Sequence, residues 1–198
     1  MILSIDTFSD VLGICLLDEN KNIKFCVEYR QYKPFSETII YELDLLLKKF
    51  EIPKKEIASV VINKGPGGYT GLRVGITTAK VLAYALNIPL YAYTSLDAMY
   101  YSYKNCNAKI LTAINAGKNE AYIKTFENNK YSDILLVKQD ELIKYIENYN
   151  VCIVKNLKNF ENCIQIKGSL AINGALLAIQ EGLIENPFQL EPIYLRAS

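Results

Sequence analysis

The stretch Gly65-Pro66-Gly67-Gly68-Tyr69-Thr70-Gly71-Leu72-Arg73 limits the fold of this chain more than any other. An apolar run from Ala58 to Ile62 leads into it. Leu72, Ile76, Ala79, Ala83 and Leu86 lead out of it at helical spacing. Glycine admits positive φ and close approach of other segments. Pro66 fixes one φ and restricts the residue before it. The stretch therefore reads as a stiff strand-to-helix turn. Two chemistries suit such a turn: an anion site at the bare N–H groups of a helix start, or a structural or interface bend. It is not a P-loop, because no Gly-Lys-Ser/Thr closes it. Nor is it a dinucleotide fingerprint, because its glycines fall at 65, 67, 68 and 71.

Composition removes several functions. The chain has no histidine, which excludes Ser-His-Asp catalysis, HExxH zinc chemistry and any His-ligated metal. A net charge of +1 over 198 residues gives no general basic footprint for nucleic acid. No apolar run approaches bilayer length, and the alternating start at Met1 to Leu3 argues against a signal peptide. The five cysteines are scattered, with no CxxC pair. They are expected to be free thiols in a reducing cytoplasm.

Taken in order, Ile2–Ile5, Val11–Leu17 and the alternating Ile23–Tyr29 predict an antiparallel meander. Ser36 is the expected N-cap of a helix running to Phe50, with Ile39, Leu43, Leu46 and Leu47 inward. A strand at Ala58–Ile62, the glycine turn, a helix over Leu72–Leu86 and a strand at Leu90–Tyr93 imply a right-handed crossover. Ser95 opens a short helix. A second unit begins with the strand Lys109–Ile114, the turn Asn115–Asn119 and the strand Ala121–Phe126. A turn at 127–130, a strand at Ser132–Val137 and a helix over Asp140–Tyr149 with Leu142, Ile143 and Ile146 inward follow. Short strands at Val151–Val154 and Ile164–Ile166 and an apolar helix over Ser169–Gln180 complete it. Both halves share one order of elements. That predicts an α/β chain of two RNase H-like domains in the actin/Hsp70/sugar-kinase architecture, with mixed sheets and flanking helices. The expected domains are 1–103 and a smaller 104–198, whose tail packs back on the first.

Asp6 ends the first strand, where RNase H-like nucleases hold a metal-binding carboxylate. The fourth strand, however, ends in Asn63-Lys64, so the converging carboxylates of two-metal catalysis are incomplete. Asp6 then reads either as a hairpin-stabilising side chain or as an ATP-linked one. Arg73 and Lys80 share one helix face, as a solvated face or as the charged rim of an interface. Turn chemistry accounts for Lys118 and Glu120. The tyrosines from Tyr91 to Tyr103 lack a neighbouring basic stripe and read as packing.

Several motifs together resemble the TsaB (YeaZ) family. They are Ile5-Asp6-Thr7, the run Gly65 to Gly75 (similar to that family's GPGSFTGLRIG, with Gly68 for Ser and Tyr69 for Phe), Asn87-Ile88-Pro89, Ser95-Leu96, Asn115 to Tyr122, and Pro192-Ile193-Tyr194-Leu195-Arg196. Departures are Phe35 before Ser36-Glu37, Asn115 for Asp, and a short second half. The resemblance implies a subunit without an active site or cofactor. It would pair with a TsaD-type catalytic subunit, joined by a TsaE-type ATPase, in transferring threonylcarbamoyl to N6 of adenosine 37 of tRNAs that read ANN codons. The related TsaD holds metal through an HxxxH pair, which a chain without histidine cannot form. tRNA is met only through the complex, no membrane is involved, and the chain alone is expected to dimerise in the cytoplasm. The implied partner surface is built from the first two helices, with Ser36, Ile39, Leu43, Gly68, Tyr69, Thr70, Leu72, Arg73, Ile76, Ala79, Lys80 and Ala83. The apolar content of those helices exceeds what one sheet face covers, which fits a partly exposed patch. A weak nucleotide contact at Asp6, Thr7, Asn115 and Lys118 is the remaining expectation. The alternative is a stand-alone ATP-dependent enzyme of the same fold.

Overall fold

The structure, a computed structural model, describes residues 1–30, 33–128 and 130–195. Arg196 of the terminal motif and Asn129 of the second turn lie outside the described residues. The chain forms two compact units. One is Met1–Ser95 with Gly168–Ile193; the other is Leu96–Lys167, to which Tyr194 and Leu195 also belong. The sequence reading places a single boundary after Tyr103. The structure instead joins residues from Leu96 to the second unit and returns Gly168–Ile193 to the first.

In the first unit the strands β1 (Ile2–Asp6), β2 (Val11–Leu17) and β3 (Ile23–Arg30) form the antiparallel meander. The strand β4 (Ser59–Asn63) pairs parallel with β1, and β5 (Leu90–Tyr93) pairs parallel with β4. The side-chain period of two splits the apolar residues between the faces. Leu3, Ile5, Ile14 and Ile62 turn toward the helices α1 (Phe35–Lys49) and α2 (Tyr69–Leu86), where they meet Ile39, Leu43, Leu46, Ile76 and Ala79. Cys15 and Leu17 turn the other way and meet Ala171 and Ala175 of the last helix. Each fully buried Leu or Ile here contributes about 2 kcal/mol by leaving water.

Several local expectations are corrected. Pro34, not Ser36, holds the N-cap position of α1, and no side chain caps it. Pro34 is held near the polyproline conformation, and the helix starts directly at Phe35 because that ring is buried in the core. α2 begins at Tyr69, inside the glycine stretch and three residues ahead of Leu72. It ends on Asn87, whose left-handed backbone (φ 52°) turns the next N–H, that of Ile88, back onto Ala83 O at 3.0 Å. Cys15 and Cys26 are not free: they stand directly opposite each other in the β2–β3 register and are joined as a disulfide.

In the second unit β6 (Ile110–Gly117) pairs antiparallel with β7 (Glu120–Glu127) and parallel with β10 (Val151–Lys155). The expected strand Ser132–Val137 is split into β8 (Lys130–Tyr131) and β9 (Leu135–Lys138), both against β7. Ser132 bends the chain between them by turning its hydroxyl to Asp133 O at 2.7 Å. The short helix α3 (Ser95–Tyr101) precedes this sheet, and α4 (Gln139–Ile146) packs on it through Leu142. Ile143, expected inward, is exposed, because it follows Leu142 and so lies off the buried stripe. β11 (Ile164–Gln165) pairs parallel with β10.

The chain then returns to the first unit. α5 (Ala171–Glu181) covers the second face of its sheet, and β12 (Ile184–Glu185), unforeseen from sequence, pairs with β5. A Cβ on Gly174 would stand 2.0 Å from Cζ of the buried Tyr93 ring, so glycine lets α5 lie flat on that ring.

Candidate partner-docking site

The glycine stretch is locked to the turn after β1. Gly68 N–H donates to Phe8 O at 2.7 Å, and the Thr7 hydroxyl donates to Gly71 O at 2.8 Å. A Cβ on Gly71 would stand 2.3 Å from Thr7 O, and one on Gly75 would stand 2.1 Å from Thr7 Oγ1. These two glycines lie one helical turn apart on the same face of α2. They let the helix press against Thr7 and Phe8, so the motifs Ile5-Asp6-Thr7 and Gly65–Gly75 form one packed joint. Gly65, at φ +98°, makes the bend that precedes it.

A buried polar cluster sits beside this joint. Asp6 is fully buried, and its carboxylate accepts from Phe8 N–H at 3.2 Å, Asn63 Nδ2 at 3.0 Å and Leu170 N–H at 2.5 Å. Asn63 Oδ1 in turn accepts from Gly65 N–H and the Ser95 hydroxyl. Both Asp6 oxygens are thus committed to the chain's own donors, and the cluster ties β1, β4, the glycine bend and the start of α5 together. Tyr93 lies in the same interior, and its hydroxyl meets no hydrogen-bond partner. The nearby Ser4 hydroxyl donates to Ala171 O at 2.7 Å. Burial, reinforced by the Asp6 charge, pushes Tyr93 ionisation well above its ordinary value, with Ser4 pulling the other way. Asn115 and Lys118 lie in the second unit, exposed on the β6–β7 hairpin. Asn115 Oδ1 accepts from Gly117 N–H at 2.8 Å, and Lys118 and Asn119 take positive φ in the turn. No group of three or more Cys, Asp or Glu able to hold a metal occurs among the described residues.

The paired helices α1 and α2 carry the partner residues read from sequence. Six of those are corrected. Ile39, Leu43, Leu72, Ile76, Ala79 and Ala83 are buried in the unit's own core, because strict helical periodicity marks the face that meets the sheet. Lys80 is also committed: its Nζ donates to Leu190 O at 2.8 Å. Ser36, Gly68, Tyr69, Thr70 and Arg73 are exposed. Arg73 lies 5.2 Å from the Tyr69 ring centre and donates to its hydroxyl at 2.7 Å. The outward apolar residues that sequence reasoning missed are Ile40, Tyr41 and Leu45 on α1, and Val81 and Tyr84 on α2. Val81 is 60% exposed and Tyr84 is 72% exposed, too open to serve the core. The available signal was their position off the i, i+3, i+4 series. Five such side chains stand outward on two helices that pack against each other, and exposed apolar side chains of this kind are what partners cover.

Residues 30–156 match the family described as TsaD: tRNA N6-adenosine threonylcarbamoyltransferase. A tRNA threonylcarbamoyladenosine biosynthesis protein TsaB of Bacillus subtilis (strain 168) is 34% identical over 121 residues, covering 61% of this chain and 52% of that protein. The chain thus matches about half the length of that relative. The Haemophilus influenzae TsaB is 21% identical over 221 residues, covering 98% of this chain and 93% of that protein. A Pseudomonas aeruginosa crystal structure, described as similar to peptidase YEAZ, superposes with a TM-score of 0.79 at 18% identity, covering 98% of this chain and 99% of that one. That likeness is one of fold.

Proposed function

The chain belongs to the tRNA N6-adenosine threonylcarbamoyltransferase (TsaD) family, in its TsaB (YeaZ) branch, and from that premise we propose that it is a non-catalytic pairing subunit in tRNA threonylcarbamoyladenosine synthesis. In this reading it docks a TsaD-type catalytic subunit, with a TsaE-type ATPase joining the pair, and meets tRNA only through the assembly. Without its partner it covers the same surface with a second copy of itself. One observation carries the reading: the outward apolar face of Ile40, Tyr41, Leu45, Val81 and Tyr84. The Asp6 cluster supports it, since its hydrogen-bonding capacity is already turned inward to Phe8, Asn63 and Leu170. A nucleotide contact at Asp6 and Thr7 would have to break these bonds.

Titration calorimetry of the purified chain against a TsaD-type protein tests the reading. Tyr41→Asp and Val81→Asp place charge on exposed positions, so they leave the fold intact and are expected to weaken binding at least tenfold. That is about 1.4 kcal/mol or more. Unchanged affinity in both variants refutes the docking face. Micromolar binding of ATP and Mg²⁺ by the isolated chain refutes the non-catalytic role.

A further inference from the structure

Cys152 and Cys163 take no part in the docking face or the Asp6 cluster, yet the fold brings them together. Ile153 of β10 is the register partner of Ile164 of β11, and each cysteine immediately precedes its member of that pair. Both side chains enter the core cluster of the second unit, and each residue is 8% exposed. The two residues are register neighbours packed in one cluster. β11 is only two residues long, and both are exposed. A strand held by so few buried contacts opens locally at low cost.

We propose that Cys152 and Cys163 are a reversible thiol–disulfide clasp, closed by a low-molecular-weight disulfide such as oxidised glutathione, that bonds β11 to β10. The pair is asymmetric. Burial raises the Cys152 thiol to about 12, and the neighbouring Cys163 adds to the rise. Burial also raises Cys163, but its hydrogen bond with Cys152 pulls it back. Cys163 immediately precedes the exposed two-residue β11 at the sheet edge, so local opening of β11 uncovers it first; it is the attacking sulfur, and Cys152, on the interior strand β10, resolves. The Cys163 thiolate attacks one sulfur of glutathione disulfide, that S–S bond breaks, and one glutathione leaves. Cys152 then displaces the second glutathione from Cys163. Two cysteine thiols are oxidised to one disulfide, one glutathione disulfide is reduced to two glutathiones, and both cysteine protons end on them. Burial makes the first step slow. Adjacency makes the second fast, because the resolving thiol is already in place.

Peptide mapping by mass spectrometry, after incubating the folded full chain with oxidised glutathione and alkylating without reductant, tests the proposal. The expected product is a Cys152–Cys163 linked peptide, two hydrogens lighter than the sum of its parts and lost on adding dithiothreitol. Exposed Cys106 takes up glutathione instead. Cys152→Ala is expected to trap glutathione on Cys163, while Cys163→Ala leaves Cys152 unmodified. Circular dichroism confirms that each variant is folded, and the wild-type map stands without them. Two independent glutathione adducts, or two thiols still free after Cys106 has reacted completely, overturn the proposal.

Discussion

The joint between the glycine stretch and Thr7 makes a sharp quantitative prediction. In Gly75→Ala the new methyl meets Thr7 Oγ1 at 2.1 Å, and Thr7 Cβ and Cγ2 at 3.2 Å each. Thr7 is fully buried, so its side chain cannot swing into solvent. Overpacking of this kind costs about 1–3 kcal/mol, and the better helix propensity of alanine returns about 1 kcal/mol. Thr7→Ala loses the hydroxyl bond to Gly71 O and one buried methyl, together about 2 kcal/mol. Additivity would make the double variant worse than either single one. The geometry says otherwise: once Oγ1 and Cγ2 are gone, the methyl added at position 75 faces only the Thr7 Cβ position at 3.2 Å, which a few tenths of an ångström relieve. The double variant should be no less stable than Thr7→Ala alone, a coupling of about 2 kcal/mol. Urea denaturation of the four proteins, with unchanged slopes, measures it. At this chain length the coupling corresponds to roughly 4–8 °C in Tm. Gly71→Ala is the control: its methyl would meet the Thr7 carbonyl oxygen at 2.3 Å, which truncating Thr7 cannot remove. Additivity within about 0.5 kcal/mol for the Gly75 pair, or equal rescue of Gly71→Ala, refutes the reasoning.

Two further outcomes follow from the same unit. Gly68 is the N-cap of α2 at φ −62°, and a Cβ there would meet only Phe8 O, at 3.4 Å. Gly68→Ser is therefore expected to keep stability or raise it by a few tenths of a kcal/mol through a side-chain cap, as thermal melting will read. Tyr93→Phe deletes a buried hydroxyl without a partner and should cost nothing at neutral pH. Above the ordinary tyrosine value near 10, the unfolded chain releases a proton that native Tyr93 retains. Native stability then falls with rising pH by up to about 1.4 kcal/mol per unit, and the fall continues until the raised native value is reached. Denaturation series at pH 9 to 11 should show a shallower alkaline loss in Tyr93→Phe than in the wild type; parallel curves count against this account.

Local pattern carried much of the first sheet. Short apolar runs located β1, β2, β4 and β5, the alternation over Ile23–Tyr29 located β3, and the helical series located α1 and α2, because burial is written directly into apolar spacing. The same rule misdirected the choice of partner residues. Ile39, Ile76 and Ala79 are regular because they face the sheet, whereas Tyr41 and Val81 are informative because they are not. Ser36 looked like a cap from its residue type, but the buried Phe35 ring and Pro34 set the helix start. The Cys15–Cys26 bond needed strand register, which spacing alone does not supply. Least legible was the bond from Leu170 N–H to Asp6, across 164 positions, since nothing local in Gly168–Ile193 marks its destination.

That distant return has a consequence for how the molecule is made. On a ribosome, the first 95 residues emerge with five of the six strands of their sheet and only one face covered. Cys15 and Leu17 wait for Ala171 and Ala175, Asp6 waits for the Leu170 amide, and the outer edge of β5 waits for Ile184. The intervening seventy or so residues must be synthesised and held clear before the first-born half can close. The N-terminal unit is thus the first to be translated and the last to be finished. Any lesion that stops translation before α5 leaves an open apolar sheet, not a smaller working protein.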